Sequence, residues 1–267
     1  MLFRTLALAL GLLAPSIAQA EWHEASAAHF VVYADDKPEA IARFAAELEK
    51  FDKAMSVFYP KAGKPAEGPA NRVRVFVTSG TTITRLAGDG TRGFYIPRAG
   101  GNVAFVPRIS GREDPNDLSG ATVLRHEYAH HFMFTRFPAV FPIWFSEGFA
   151  EYWGATRFAK DGSAEIGRVP QHRGYGLLSG NPLPLKQLVT LTNRRLSGEQ
   201  REAIYGRGWL LTHYLMSDPQ RQKLLVAYMN AINAGQPLTK AAEALGDLDA
   251  MSRSIDGYMR GSIPGFR

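Results

Sequence analysis

The sequence predicts an α+β fold in one domain, and three observations carry that prediction. The first half alternates short β-type runs with amphipathic helical patterns, whereas the second half is mainly helical in pattern. No repeat or low-complexity linker divides the 267 residues. The composition, 45% hydrophobic and 21% charged, is that of ordinary globular material.

Residues 1–20 stand apart from that globule. Arg4 supplies a short basic start, Thr5–Ala14 is apolar but too short to span a bilayer, and Ala18-Gln-Ala20 is a small-x-small cleavage signal. The expectation is a secretory signal peptide cut after Ala20, with residues 21–267 as the functional domain and no stable membrane insertion once it is cut. An uncleaved anchor is the alternative, disfavoured by the short apolar stretch. The chain has no cysteine, so neither disulfides nor a lipid-attachment thiol are available. Together these features point to a bacterial periplasmic or secreted protein whose core carries its stability unaided.

The elements follow in order. His29–Tyr33 reads as a strand, and Pro38–Phe58 as a long helix with Ile41, Phe44, Leu48, Phe51, Met55 and Phe58 at three- and four-residue spacing. Lys61–Asn71, rich in Pro, Gly, Ala and Lys, is a loop. Arg72–Val77 alternates arginine and valine, the pattern of a strand with one buried face, and a short helix around Ile83–Leu86 ends at Gly88. Gly93–Ile96 and Asn102–Val106 form a hairpin over Pro97–Gly101. Past residue 156, Arg157–Val169 suggests a small hairpin around Asp161-Gly162, and Pro170–Pro184 a long loop of the kind that lines a site. Helices are expected over about 185–191, 198–217, 219–234 and 237–260.

The chemistry lies between these halves. Residues 126–131 read His-Glu-Tyr-Ala-His-His, inside a helical run from about Ser119 to Pro138. On a helix His126 and His130 lie one turn apart, about 40° apart in projection, so both imidazoles can reach one metal ion. Glu127, about 100° round from His126, can bond a water in an open coordination position without ligating the metal. A second helix opens at Pro142 and carries Trp144-Phe-Ser-Glu147-Gly-Phe-Ala-Glu151. A catalytic zinc site wants three protein ligands and one open position, and Glu147 is the natural third ligand. Glu151, one turn further on the same face, is either an orienter of a ligand histidine or the ligand itself. With 7 histidines in 267 residues, chance would produce H-E-x-x-H in roughly one such chain in a hundred, and the second helix makes chance a poor explanation. His131 points about 100° off the ligand face, toward core packing, whereas the pattern does not fix the surroundings of His172 and His213.

The paired motifs resemble those of the gluzincin zinc metallopeptidases, closest in style to aminopeptidase N-like enzymes and to smaller bacterial peptidase MA-like proteins. The resemblance covers most of residues 72–217 and is specific in H-E-x-x-H and in W-x-x-E-G-x-A. It implies a zincin-like catalytic domain, one Zn2+ held by His126, His130 and Glu147, and Glu127 as general base. It also implies a role for Tyr205: Tyr205-Gly-Arg-Gly208 matches the Y-x-[KR]-G segment whose tyrosine donates to the developing oxyanion. One departure stands out. The glutamate-bearing segment with which aminopeptidases recognise a free amino terminus is missing, and Gly100-Gly-Asn-Val-Ala-Phe105 stands in its place. The Asn102–Val106 strand is then expected to pair with an extended peptide, favouring endopeptidase over aminopeptidase action.

The partner so implied is a peptide or protein. A pI near 9.5 reflects scattered arginines such as Arg72, Arg74, Arg92 and Arg108, without a dense basic run, so nucleic acid gains no support. A zinc-binding envelope protein without turnover is the alternative class, but metal binding alone has no need of Glu127.

Overall fold

In the computed structural model, residues 21–64, 68–89, 91–96, 101–108, 119–178, 183–192, 196–261 and 263 are described. The signal-peptide expectation and the tip of the predicted hairpin, residues 97–100, lie outside them. Among the described residues no helix is long and apolar enough to cross a membrane.

The fold is α+β. A five-stranded sheet comprises β1 (His23–Ser26), β2 (Phe30–Ala34), β3 (Val73–Thr78), β4 (Phe94–Ile96) and β5 (Val103–Pro107) in the order β1-β2-β3-β5-β4. The inner pairs β2/β3 and β3/β5 are parallel, and the outer pairs β1/β2 and β4/β5 are antiparallel. Helix α1 (Pro38–Phe58) makes the crossover from β2 to β3, as a parallel pair requires. The alternation of β3 sorts its faces: Val73, Val75 and Val77 are buried, while Phe76 joins a ladder of stacked rings, Tyr33–Phe76–Phe105–Phe94, on the other face. Helix α2 (Gly80–Ala87) ends at Gly88, as its sequence predicts, and starts earlier than the expected Ile83, capped by Ser79.

Two corrections concern the sheet. Strand β1 was not legible, because HEAS has neither β-branched nor aromatic residues, and its existence rests on pairing with β2. The segment expected to pair with substrate, Asn102–Val106, forms β5, and both its edges are occupied by β3 and β4. The free edge on that side belongs to β4.

Helices α3 (Gly120–Arg136) and α4 (Ile143–Gly154) follow. Their dense aromatic content makes the centre of the core. Phe51 of α1, Tyr128 and Phe132 of α3, and Trp153 of α4 are all essentially buried and in contact through ring pairs around Tyr59 and Phe51. One buried polar group ties these helices: Asp52 Oδ1 accepts from Tyr128 Oη at 2.7 Å and from Arg136 Nη2 at 2.9 Å.

The small hairpin is present as β6 (Arg157–Phe158) and β7 (Ala164–Glu165). The predicted loop after it is instead partly helical: a 3-10 turn at Gln171–Arg173 runs into α5 (Gly174–Leu178). Its glycines disguised it, since Gly176 and Gly206 are there for close packing of α5 on α7 rather than for a turn. Next come α6 (Leu185–Thr190), α7 (Gly198–Met216) and α8 (Pro219–Asn233) near their predicted limits. The expected single helix over 237–260 is broken into α9 (Leu238–Ala241), a 3-10 turn and α10 (Leu248–Arg260). Gly246, at φ +83°, and the Asp247 cap separate the pieces.

Candidate functional site

The site forms where α3 and α4 face α7. Helix α3 begins at Ser119, whose hydroxyl accepts from the Thr122 amide, and this fixes the turn on which His126 and His130 ride. Helix α4 is buried on nearly every side: of its twelve residues all but Ile143 and Glu147 are buried. Such a helix has one possible seat in the fold, and from it Glu147 opens into a cleft.

Three ligand-type atoms converge there. His126 Nε2 and His130 Nε2 are 3.2 Å apart, and each is 3.3 Å from Glu147 Oε2. Metal–ligand bonds of about 2.0–2.1 Å in tetrahedral geometry place ligand atoms about 3.3–3.4 Å from one another, so the spacing fits. Glu147 Oε2 is buried, and what it faces are the two imidazole nitrogens 3.3 Å away. His126, His130 and Glu147 form a group that can hold a metal ion.

The outer ring nitrogens are fixed so that both Nε2 atoms point inward. Glu151 Oε1 lies 3.2 Å from His126 Nδ1, and Ser146 Oγ lies 3.2 Å from His130 Nδ1. Glu151 thus lies against the outer nitrogen of His126, outside the group of three. Its carboxylate is shared: Oε2 meets His172 Nε2 at 3.0 Å, and Oε1 accepts from Arg173 Nε at 2.9 Å. Arg173 also lays its guanidinium 4.1 Å from the centre of the Tyr205 ring. One cation therefore links the helix that bears the ligand glutamate to the tyrosine on α7.

Tyr205 faces the cluster, its ring 5.9 Å from that of His126. Its position depends on glycines. A Cβ on Gly148 would lie 2.3 Å from the Gly208 carbonyl oxygen, and one on Gly208 2.5 Å from that of Trp144. The glycines of both motifs are where the backbones of α4 and α7 touch.

The charges follow from this packing. Burial depresses the His126 imidazolium, but hydrogen bonds to Glu147 and Glu151 outweigh it and raise its pKa to about 10. Burial raises the Glu147 carboxyl, yet the two imidazoles prevail and lower it to about 2. Glu127, which lines the cleft on both sides of the cluster, is raised by burial, with Glu147 and Glu151 adding to the effect against the two histidines. Burial, then the Glu147 charge, raises the Tyr205 phenol, so it stays protonated at neutral pH.

The remaining histidines have other tasks. His131 is buried, with Nδ1 2.7 Å from the Tyr95 hydroxyl, and its pKa is lowered to about 4 by burial and then by Arg136. His213 is wholly buried against Tyr258, with 2.8 Å from Nδ1 to the hydroxyl, and does not face the cleft. His172 lines the cleft beside Glu151, which it meets through Nε2. The sequence reading missed Arg173 and Ser146. Ser146 immediately precedes the glutamate, but the only signal for Arg173 was its place beside His172 in a segment read as loop.

A family model described as "Protein of unknown function (DUF1570)" matches residues 120–239, from the first residue of α3 into α9. That span contains the His126-His130-Glu147 group, Glu127, Glu151, Arg173 and Tyr205. No curated protein matches the chain.

Proposed function

We propose that this chain is an exported zinc metallopeptidase of the gluzincin type that hydrolyses internal bonds of peptides or proteins. The observation that carries the reading is the near-equilateral set of His126 Nε2, His130 Nε2 and Glu147 Oε2, open to a cleft that Glu127 and Tyr205 also line. His and carboxylate donors in a set of three suit zinc with a position left for chemistry, whereas structural zinc sites close with four ligands. The pattern of residues 1–20 supports export.

Zinc, when bound there, supplies Lewis acidity that polarises the scissile carbonyl and acidifies water. His126 and His130 offer Nε2 because Glu151 and Ser146 hold their other nitrogens. As the water oxygen bonds to the carbonyl carbon, the Glu127 carboxylate takes the water proton. It then delivers that proton to the leaving amine nitrogen as the carbon–nitrogen bond breaks. Its raised pKa brings it closer to the neutral range, where one group can both take and give a proton. Tyr205, still protonated, donates from its hydroxyl to the oxygen on which charge develops, a contribution of about 2.7–4 kcal/mol by comparison with other oxyanion donors.

The test is Glu127→Gln. The three ligands remain, so zinc content should hold at one ion per chain while cleavage of a peptide library falls below detection. Equal cleavage by the variant would sink the mechanism. A wild type that binds zinc but cleaves nothing would make this a zinc-binding protein without turnover.

A further inference from the structure

The cleft leaves the ligand cluster in two directions, and the two lobes differ in chemistry. One, of about 680 Å³, is lined by charged groups of both signs, among them Asp89, Arg92, Arg201 and Glu202. The other, of about 850 Å³, is walled by Phe134, Val140, Phe141, Ile143, Ile232 and Leu238. Among the described residues lining this second lobe, the only acids are Glu127 and Glu147, and there is no lysine or arginine.

The apolar wall is a built feature. Phe134 ends the ligand helix α3, Val140 and Phe141 lie in the connection to α4, and Ile232 and Leu238 come from α8 and α9. The two sides are pinned together. Asn233 Oδ1 accepts from the Val140 amide at 2.7 Å, while Asn233 Nδ2 donates to the Val140 carbonyl at 3.1 Å. Yet Phe134 and Val140 remain 57% and 65% exposed, so the lobe presents apolar surface at a width set in advance.

We propose that this lobe receives a bulky apolar side chain of a polypeptide substrate, adjacent to the scissile bond, while the polar flank of that substrate lies in the charged lobe. The assignment rests on the peptidase reading. Charge selects the occupant. Among the described residues of the apolar lobe, a carboxyl terminus would find no cation, and an amino terminus no acid beyond the two already engaged at the centre. An uncharged internal stretch with a residue such as Phe or Leu meets neither penalty.

The test separates binding from turnover. Zinc-loaded Glu127→Gln protein is titrated calorimetrically with acetylated, amidated hexapeptides that differ at one position: Phe, Leu, Ala, Asp or Lys. Phe and Leu should bind at least about tenfold more tightly than Asp or Lys, with a negative heat-capacity change. Adding Leu238→Asp, or Val140→Asp at an exposed position where folding is not at stake, should erase that preference and leave zinc stoichiometry unchanged. Cuts made by the wild-type protein in a denatured protein mixture should fall beside bulky apolar residues. If the wild type cuts nothing but the wall-dependent preference persists, the lobe binds apolar side chains of peptides, while the peptidase reading and the placement beside a scissile bond both fall. Binding indifferent to the varied residue, or a preference that survives both wall variants, would overturn the assignment even in an active peptidase.

Discussion

Adding one methyl group at Gly148 should do more harm than its size suggests. The new Cβ would sit 2.3 Å from the Gly208 oxygen, 2.4 Å from its carbonyl carbon and 2.5 Å from Thr212 Oγ1. Carbon contacts are comfortable near about 3.5 Å, so α4 and α7 must part by about 1 Å. Because two of the three obstacles are backbone, no rotamer change relieves them. Overpacking typically costs about 1–3 kcal/mol, and this case belongs at the upper end, about 3 kcal/mol or more. For a domain of this size, that lowers Tm by about 6–12 °C. The opposite sign is expected for Gly257→Ala, on an exposed turn of α10 with nothing within 4 Å of the new methyl. There alanine should stabilise by up to about 1 kcal/mol. Thermal melts followed by circular dichroism compare the pair. A Gly148→Ala protein that melts with the wild type would refute the close crossing of α4 and α7.

Further expectations follow from the same geometry. Arg173→Gln removes the link between Glu151 and the Tyr205 ring and should weaken zinc binding by about 10- to 100-fold, read by chelator competition, with Arg173→Lys restoring only part of it. Zinc uptake near neutral pH should displace the proton that His126, at about 10, otherwise holds. Affinity should then weaken by about tenfold for each unit the pH falls below that value, and the calorimetric enthalpy should vary with the buffer's ionisation heat. Asp52→Ala leaves the Arg136 guanidinium buried without its carboxylate and should cost about 3–5 kcal/mol in denaturant unfolding. Tyr205→Phe should lower kcat by about 10²–10³ with little change in KM or zinc content, and an equal kcat would remove Tyr205 from the chemistry.

Many of the helices were legible because their signals are local. Ser119 before Thr122, Pro at 38 and 142, and the spacing of Ile41 to Met55 each state a boundary or a face without reference to distant residues. The ligand histidines were legible for the same reason, since four residues make one turn. What escaped was non-local. β1 exists by pairing with β2, β5 is an inner strand because β3 pairs along its other side, and α5 hides behind glycines whose purpose is contact with α7. Glu147 and Glu151 look alike in sequence, one turn apart on one face. Burial and partners separate them, because Arg173 arrives from 22 residues beyond Glu151 to engage the second but not the first.

Those partners also bear on the valence of the ion. Glu127, Glu147 and Glu151 place three carboxyl groups around one cleft, with their surroundings largely withdrawn from water. Arg173 compensates one of them directly, and Glu202, the other acid near Arg173, is substantially exposed and screened. Two negative charges then remain for whatever the Nε2 and Oε2 atoms hold. A proton on His126 answers one of them, which accounts for the strength with which Glu147 and Glu151 retain it. A divalent cation answers both and lets His126 return to the neutral form that a ligand must have. A monovalent ion would leave the site as unbalanced as the proton does. A divalent ion is therefore the expected occupant, on the surrounding charges as well as on the three ligand-type atoms. Neutralising Glu151 by Glu151→Gln should therefore loosen the proton that His126 holds, beyond loosening the ring it orients. Zinc titrations across pH would show this as a weaker pH dependence, and an unchanged slope would assign Glu151 a steric role alone.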